Sequence, residues 1–174
     1  MILRERTLEF DFSKADSVIK FDDNRTHGLL HCSMKAVDFI VEFKNVSYYI
    51  EVKDPQDPNI PHRHIARLLR EFSSARFIDR FINKLAKKYR DSFLYQYAMD
   101  NYNKPIYYFV LLALDSLQAP VLSALTMKLA RAIPVKGPRN TFWKKTFIEG
   151  CSVFNIATWN QFNHFFPVKR IITP

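Results

Sequence analysis

Glycine and cysteine are scarce in this sequence of 174 residues. The three glycines, Gly28, Gly137 and Gly150, form no phosphate-cradling loop of the Walker or dinucleotide type, which argues against nucleotide-dependent chemistry. No Gly-x-Ser-x-Gly elbow is present either, so a serine hydrolase has no support. The two cysteines, Cys32 and Cys151, are too few for a disulfide framework or a cysteine zinc site, and they suit a reducing compartment.

Long apolar runs and a signal peptide are also missing. The longest apolar run, Ile106 to Leu114, is far shorter than the roughly 20 residues that a spanning helix needs. The N-terminal residues Met1 to Arg6 lack the apolar core and the small-residue cleavage site of a signal peptide. We therefore predict a cytoplasmic protein that does not enter a membrane.

Negative charge is in the minority, because 17 Asp and Glu face 26 Lys and Arg and leave a net charge of +9. Such a surplus attracts polyanions, of which nucleic acid is the commonest, and a charged membrane surface is the alternative. The 48% hydrophobic content is enough for one sizeable core, so we predict a single domain over residues 1–174.

Periodicity and turn residues predict mixed α and β structure without repeats. A capping pattern at Ser13 to Asp16 predicts a short helix that runs to about Phe21. Later segments alternate between strand and helix patterns. They predict a strand at Leu29 to Ser33, a hairpin over residues 37–53, helix from His62 to Asp100 with a break near Ser73, a buried strand from Ile106 to Leu114, a helix from Pro120 to Ala132, a strand from Ser152 to Ile156, and a short helix that opens with the capping box Thr158 to Gln161.

The hairpin carries the residues with the clearest chemistry. If Lys44 and Asn45 form the turn, Asp38 lies directly opposite Glu51, with Cβ atoms roughly 4.5 to 5.5 Å apart. Strand alternation places Lys53 on the same face. Two carboxylates this close repel each other unless a proton or a cation lies between them.

A hard divalent ion suits these carboxylates. Oxygen-only ligation favours Mg²⁺ or Mn²⁺, with Asp38, Glu51 and the Val52 backbone carbonyl as ligands. Lys53 would then orient and activate the attacking water and stabilise negative charge on a phosphate. The alternative is a solvated polar face on an ordinary half-exposed hairpin, which the apolar surroundings of Glu51 argue against.

The series Asp38, then Glu51-Val52-Lys53-Asp54-Pro55, resembles the core of the PD-(D/E)xK nuclease superfamily. This resemblance implies a restriction-endonuclease-like α/β fold, with a central mixed β-sheet flanked by helices. It covers about residues 10–115 and leaves a C-terminal α/β extension over about 116–174. It implies metal binding by Asp38 and Glu51 and water activation by Lys53. Val37 stands where the family pattern has Pro, and Asp16 is the candidate for the further acid that the family often takes from its first helix, ahead of Asp22 and Asp23.

Basic residues along the helical stretch are candidates for nucleic-acid contact. Arg63, Arg67 and Arg70 share one helix face, and a second group comprises Lys84, Lys87, Lys88 and Arg90. A plain solvated face or ion pairing with neighbours is the alternative for each group. Basic and aromatic residues also alternate between Pro134 and Gly150, where Phe147 belongs to a nucleic-acid contact, to the core or to a dimer interface.

We therefore expect a Mg²⁺-dependent or Mn²⁺-dependent nuclease that hydrolyses phosphodiester bonds in DNA. Cutting both strands of a duplex would suit a homodimer. The alternatives are a non-cleaving nucleic-acid-binding or protein-interaction module on the same fold, and a nuclease subunit that acts only with partner proteins of a defence, repair or mobile-element system.

Overall fold

The computed structural model of the protein describes residues 1–23, 33–133, 135 and 144–171, and of residues 62–64 it describes the backbone alone. Within this part of the chain, strands and helices alternate after an N-terminal β-rich segment. The strands are β1 (Ile2–Glu5), β2 (Leu8–Asp11), β3 (Ser17–Lys20), β4 (Phe39–Phe43), β5 (Val46–Lys53), β6 (Ile106–Leu112), β7 (Gly150–Phe154) and β8 (Val168–Arg170). The helices are α1 (His62–Glu71), α2 (Ala75–Ala98), α3 (Ala119–Ala132) and α4 (Ile156–Phe162).

A mixed five-stranded sheet forms the centre of the molecule, in the order β3-β4-β5-β6-β7. The strands β3, β4 and β5 are antiparallel, whereas β5, β6 and β7 run parallel. Parallel neighbours need a long crossover, which α1 and α2 provide between β5 and β6, and α3 provides between β6 and β7. The predicted α/β class, with a mixed sheet flanked by helices, is confirmed.

The two faces of this sheet bury two separate apolar clusters. Ile40, Tyr49 and Val110 point to one face, where they pack with residues of α2 and α3. Ile50 and Val52 point to the other face, where they pack against α4 and a second sheet. Strand alternation produces this division, because successive side chains lie on opposite sides of a strand.

The second sheet has three strands, in the order β1-β2-β8. Alternating apolar residues Leu8, Phe10 and Phe12 are buried on its inner face, against Trp159 and Phe166 near the C-terminus. The segment after residue 115 therefore adds β7 to the central sheet and β8 to this one.

Several predicted elements are confirmed. The helical stretch after His62 is broken between Glu71 and Ala75, and the buried strand that begins at Ile106 is β6. The helix predicted from Pro120 is α3, with proline in its first turn. The strand predicted from Ser152 begins two residues earlier, at Gly150.

The N-terminal helix predicted from Ser13 to Phe21 is wrong. Ala15 donates its backbone amide to the Phe12 carbonyl in a turn, and Ser17–Lys20 then pairs with β4 as an edge strand. The β-branched pair Val18 and Ile19 gains a strand partner there, and this tertiary pairing overrides a local capping signal. The strand predicted at Leu29 to Ser33 falls mostly outside the described residues.

The final capping box is also displaced along the sequence. The side chain of Asn155, rather than that of Thr158, caps α4 and accepts a hydrogen bond from the Thr158 backbone amide at 2.9 Å. Thr158 completes the box in return, because its hydroxyl accepts from the Asn155 backbone amide at 3.0 Å. The predicted helix is therefore present and begins at Ile156.

Candidate active site at the end of the β4–β5 hairpin

The hairpin brings Asp38 and Glu51 together in the predicted register. Phe43 pairs with Val46 and Phe39 pairs with Ile50, and the Asp38 backbone amide donates to the Ile50 carbonyl at 2.9 Å. Asp38 therefore lies opposite Glu51, at the point where β4 begins. The Asp38 carboxylate also accepts the backbone amide of Val52 at 2.5 Å, which fixes its orientation.

Two lysine amines neutralise the carboxylates. The Lys53 amine forms an ion pair with Glu51 from the same strand face. The Lys88 amine, which comes from α2, lies 2.8 Å from Glu51 Oε1 and 3.3 Å from Asp38 Oδ1. Lys88 was predicted as a nucleic-acid contact on a helix surface, and the structure instead places its amine between the two acids.

Helix α2 is docked so that Lys88 reaches this position. The hydroxyl of Ser92, one turn after Lys88, accepts the backbone amide of Val37 at 2.9 Å, immediately before Asp38. The Tyr108 hydroxyl of β6 donates to the Leu85 carbonyl at 3.1 Å, one turn before Lys88. These two hydrogen bonds tie both sides of the Lys88 turn to the sheet.

Glu51 is the most perturbed acid of the site. Its side chain is 0% exposed, and its Oε2 atom has no hydrogen-bond partner among the described residues. Burial, together with the nearby Asp38 carboxylate, raises the pKa of Glu51 from 4.5 to about 7, although Lys53 and Lys88 act in the opposite direction. The two lysines therefore offset the effect of burial on this carboxylate only in part.

Lys88 responds to the same charges. Burial by itself lowers its pKa, but the Glu51 and Asp38 carboxylates outweigh burial, and the pKa of the Lys88 amine is raised. The amine therefore stays protonated at neutral pH. The charges of Glu51 and Lys88 therefore depend on each other.

A cavity of about 430 Å³ lies in front of Asp38, and we call it the acidic cavity. Its charged lining residues are Glu5, Arg6, Asp22, Asp38, Lys53, Asp54 and Lys88. Asp22 Oδ1 is buried and has no hydrogen-bond partner among the described residues. Burial raises the pKa of Asp22, and the carboxylates of Asp38 and Glu5 raise it further.

Asp22, rather than Asp16, is the further acid near Asp38. The end of β3 runs beside Asp38, because the Phe21 amide donates to the Asp38 carbonyl at 2.8 Å, and Asp22 follows directly. Asp16 lies at the other end of the strand pair, where its amide bonds to the Glu42 carbonyl. Glu42 lies four positions along the chain from Asp38, a distance of roughly 13 Å in a strand, and Asp16 lines a different cavity.

The other predicted nucleic-acid contacts lie on the helix surfaces. Arg67 pairs with Glu71 at 2.9 Å, Arg70 is exposed, and Lys87 pairs with Asp91 at 2.8 Å. Arg90 is exposed and donates to the Ala86 carbonyl of its own helix at 3.2 Å. None of these four side chains reaches Asp38 or Glu51 in the described structure.

Two further predictions fall wholly or partly outside the described residues. The side chain of Arg63 is one, as are most basic and aromatic residues of the segment from Pro134 to Gly150. Phe147, at the end of that segment, packs in the core against Tyr89 and Phe93. Of its three predicted roles, the core role is the observed one.

The donor set fits an oxygen-ligated divalent cation. Asp38 and Glu51 offer carboxylate oxygens, and Glu51 Oε2 is buried without a hydrogen-bond partner among the described residues. The Val52 carbonyl lies 3.3 Å from the Lys53 amine. No group of three or more His, Cys, Asp and Glu side chains within the described ranges is arranged to hold a metal ion. Mg²⁺ habitually combines one or two carboxylates with waters and substrate phosphates, so the fit rests on Asp38, Glu51 and Val52.

Comparison of the chain with protein-family models, with curated proteins and with solved structures finds no match. Across the described residues, every helix is too short or too polar to traverse a lipid bilayer.

Proposed function

We propose that this protein is a divalent-metal-dependent nuclease that hydrolyses phosphodiester bonds in DNA, on a restriction-endonuclease-like core of the PD-(D/E)xK type. The observation that carries the proposal is the cluster of Asp38, Glu51, Lys53 and Lys88. Two carboxylates and two amines converge there beside the acidic cavity. Asp38, Glu51 and Lys53 come from the hairpin, and Lys88 comes from α2, which is far from it in sequence. Convergent ionisable groups of this kind are more typical of a reaction centre than of a structural core.

Asp38 and Glu51 are the metal ligands in this proposal, with the Val52 carbonyl as a third. A bound Mg²⁺ or Mn²⁺ would supply a polarised phosphate and a more acidic water. Lys53, which is 40% exposed at the cavity, orients the attacking water and stabilises negative charge on the phosphate. Lys88 holds the two carboxylates in place and neutralises them when no metal is present.

The net charge of +9 supports a polyanionic substrate. A second candidate function, a binding module that does not cleave, is favoured by one observation. Lys88 already forms ion pairs with both acids, so the cluster is electrostatically satisfied without a metal ion. The two functions differ in whether a cation displaces that amine.

The test is a cleavage assay on supercoiled, linear and single-stranded DNA in Mg²⁺ or Mn²⁺, with EDTA as the metal-free control. The variants are Lys53→Ala and Asp38→Asn, and the matched control is Lys128→Ala, because Lys128 pairs with Asp79 on the surface. The proposal predicts cleavage by the wild type and by Lys128→Ala, a loss of 100-fold or more in both site variants, and none in EDTA.

Cleavage that survives both site substitutions would contradict the assignment of the site. Absence of cleavage on every substrate, together with no effect of Mn²⁺ on the melting temperature, would leave the binding module as the function.

A further inference from the structure

Five lysines surround a second cavity on the other side of the Lys53–Lys88 pair. This cavity, which we call the lysine pocket, has a volume of about 390 Å³ and is lined by Lys35, Lys53, Lys84, Lys87 and Lys88. Glu51 is the one carboxylate among its lining residues, and Phe81 and Leu85 provide apolar surface. Lys53 and Lys88 line both this pocket and the acidic cavity.

The two outer lysines of the pocket, Lys35 and Lys84, carry charge that the described part of the protein does not neutralise. No acidic side chain of the described chain forms an ion pair with Lys35 or Lys84. Lys87 pairs with Asp91, whose carboxylate also accepts the backbone amide of Lys35 at 2.8 Å. Like charges that share a concave surface repel one another and concentrate anions there.

The two cavities differ in their balance of charge. Four carboxylates and three basic side chains line the acidic cavity, whereas one carboxylate and five lysines line the lysine pocket. A phosphodiester chain that crosses the Lys53–Lys88 pair would therefore contact the acidic cavity, which can bind a cation, on one side and the lysine pocket, which can bind an anion, on the other. Repeated phosphates along one strand suit this arrangement better than a single small anion does.

We propose that the lysine pocket binds a phosphate group of a nucleic-acid strand, next to the phosphate that is attacked at the acidic cavity. Lys35 and Lys84 are its substrate-binding residues. This inference rests on the proposed function, which identifies the substrate as a nucleic acid. It adds that the strand continues from the attacked phosphate over the lysine pocket. Because the outer lysines contact the phosphate without a metal ion, binding persists in EDTA.

The test measures fluorescence anisotropy of labelled single-stranded and duplex oligonucleotides in EDTA over a range of salt concentrations. The pocket variant is the double substitution Lys35→Gln with Lys84→Gln. The matched control is Lys128→Gln with Lys169→Gln, which removes the same charge from two exposed lysines elsewhere. The melting temperatures of both variants are measured as well, to test whether the surface substitutions leave the fold intact.

The pocket variant is expected to raise the Kd about tenfold or more at low salt and to reduce the slope of log K against log salt by about one to two. The control is expected to change the Kd by less than about twofold, since a general charge effect is shared by both variants. Equal weakening by the two double variants would overturn the proposal.

Two further arms separate this inference from its rivals. Binding to vesicles that contain phosphatidylserine, lost in the pocket variant while oligonucleotide binding is unchanged, would overturn it in favour of a membrane surface. Millimolar inorganic phosphate that abolishes oligonucleotide binding completely would reduce the pocket to a site for small anions and would also overturn it.

The two experiments distinguish failure of the lysine-pocket assignment from failure of the nuclease assignment. If no DNA is cleaved in Mg²⁺ but the pocket variant alone loses oligonucleotide binding, the nuclease assignment fails and the pocket assignment holds. If DNA is cleaved but the pocket variant retains both its KM and its Kd, the pocket assignment fails alone.

Discussion

Replacing Lys88 by methionine tests how much the cluster of Asp38, Glu51 and Lys88 contributes to stability. Methionine keeps the length and most of the apolar stem of lysine but removes the charge. The variant leaves Glu51, which is 0% exposed, with Lys53 as its remaining ion-pair partner, and Lys53 is 40% exposed. Asp38 loses its contact with the ammonium at 3.3 Å and retains the Val52 amide.

The size of the effect depends on pH. Removing one partner of a buried ion pair costs about 3 to 5 kcal/mol, but Glu51 escapes part of this cost by taking up a proton. In the wild type, burial and the Asp38 carboxylate raise the pKa of Glu51 to about 7, so Glu51 is mostly neutral at pH 5.5 and mostly ionised at pH 8. Loss of the Lys88 charge raises the pKa of Glu51 further. We expect a loss of about 3 kcal/mol at pH 8 and about 1 kcal/mol at pH 5.5.

The assay is urea denaturation at both pH values in metal-free buffer, supported by thermal melting. A loss of about 3 kcal/mol corresponds to a melting temperature lower by roughly 6 to 12 °C for a chain of this size. The control Lys128→Met removes an exposed ion pair and is expected to cost less than about 1 kcal/mol at either pH. A Lys88→Met protein as stable as wild type at pH 8 would refute the reasoning, as would an equal loss at both pH values.

Three further predictions concern stability measured by denaturant. The free energy of unfolding of the metal-free wild type is expected to fall by about 3 kcal/mol between pH 4.5 and pH 7, because the raised pKa of Glu51 makes the folded state bind more protons in that window. Glu51→Gln should abolish this pH dependence. A pH dependence that persists in the variant would assign it to other groups. Arg170→Ala is expected to cost about 3 kcal/mol or more, because the bidentate contact of Arg170 with the buried Asp54, at 2.8 Å to each oxygen, is lost. Arg4→Ala, at an exposed ion pair, should cost less than about 1 kcal/mol. Similar losses in the two variants would contradict a larger role for the buried pair. Asn155→Ala is expected to cost about 1 kcal/mol through loss of the α4 cap, and an unchanged free energy of unfolding would contradict the capping role.

The hairpin at the centre of the site was predictable because its signals are local. Alternation along two runs of β-branched and aromatic residues fixes which side chains share a face, and the two-residue turn at Lys44 fixes the register. The opposition of Asp38 and Glu51 follows from these features alone. A local pattern also predicted the break between α1 and α2 and the start of α3.

Lys88 was not predicted as part of the site because its contacts span 37 residues to Glu51 and 50 residues to Asp38 in the sequence. Helix periodicity nevertheless contains a signal. Lys88 lies three residues after the buried Leu85 and four before the buried Ser92, so it belongs to the row of α2 that faces the sheet. A lysine within a buried helix row needs an acidic partner, and the paired acids of the hairpin are the obvious ones.

In the N-terminal segment, by contrast, the local sequence signal predicts the wrong structure. A capping pattern at Ser13 predicted a helix, but the β-strand that forms there depends on the edge of β4, which local sequence does not show. Asp16 was chosen as the further acid on the basis of that helix. Once β3 replaces the helix, its far end delivers Asp22 to Asp38 instead.

We propose that Asp38 and Glu51 bind a divalent cation in place of the Lys88 amine. Calorimetric titration of the metal-free protein with Mn²⁺ at pH 8, in parallel with the Asp38→Asn variant, tests this binding. We expect saturable binding by the wild type with release of heat or protons, and loss of binding in the variant. Absence of Mn²⁺ binding by the wild type, or equal binding by the variant, would contradict the proposed metal site.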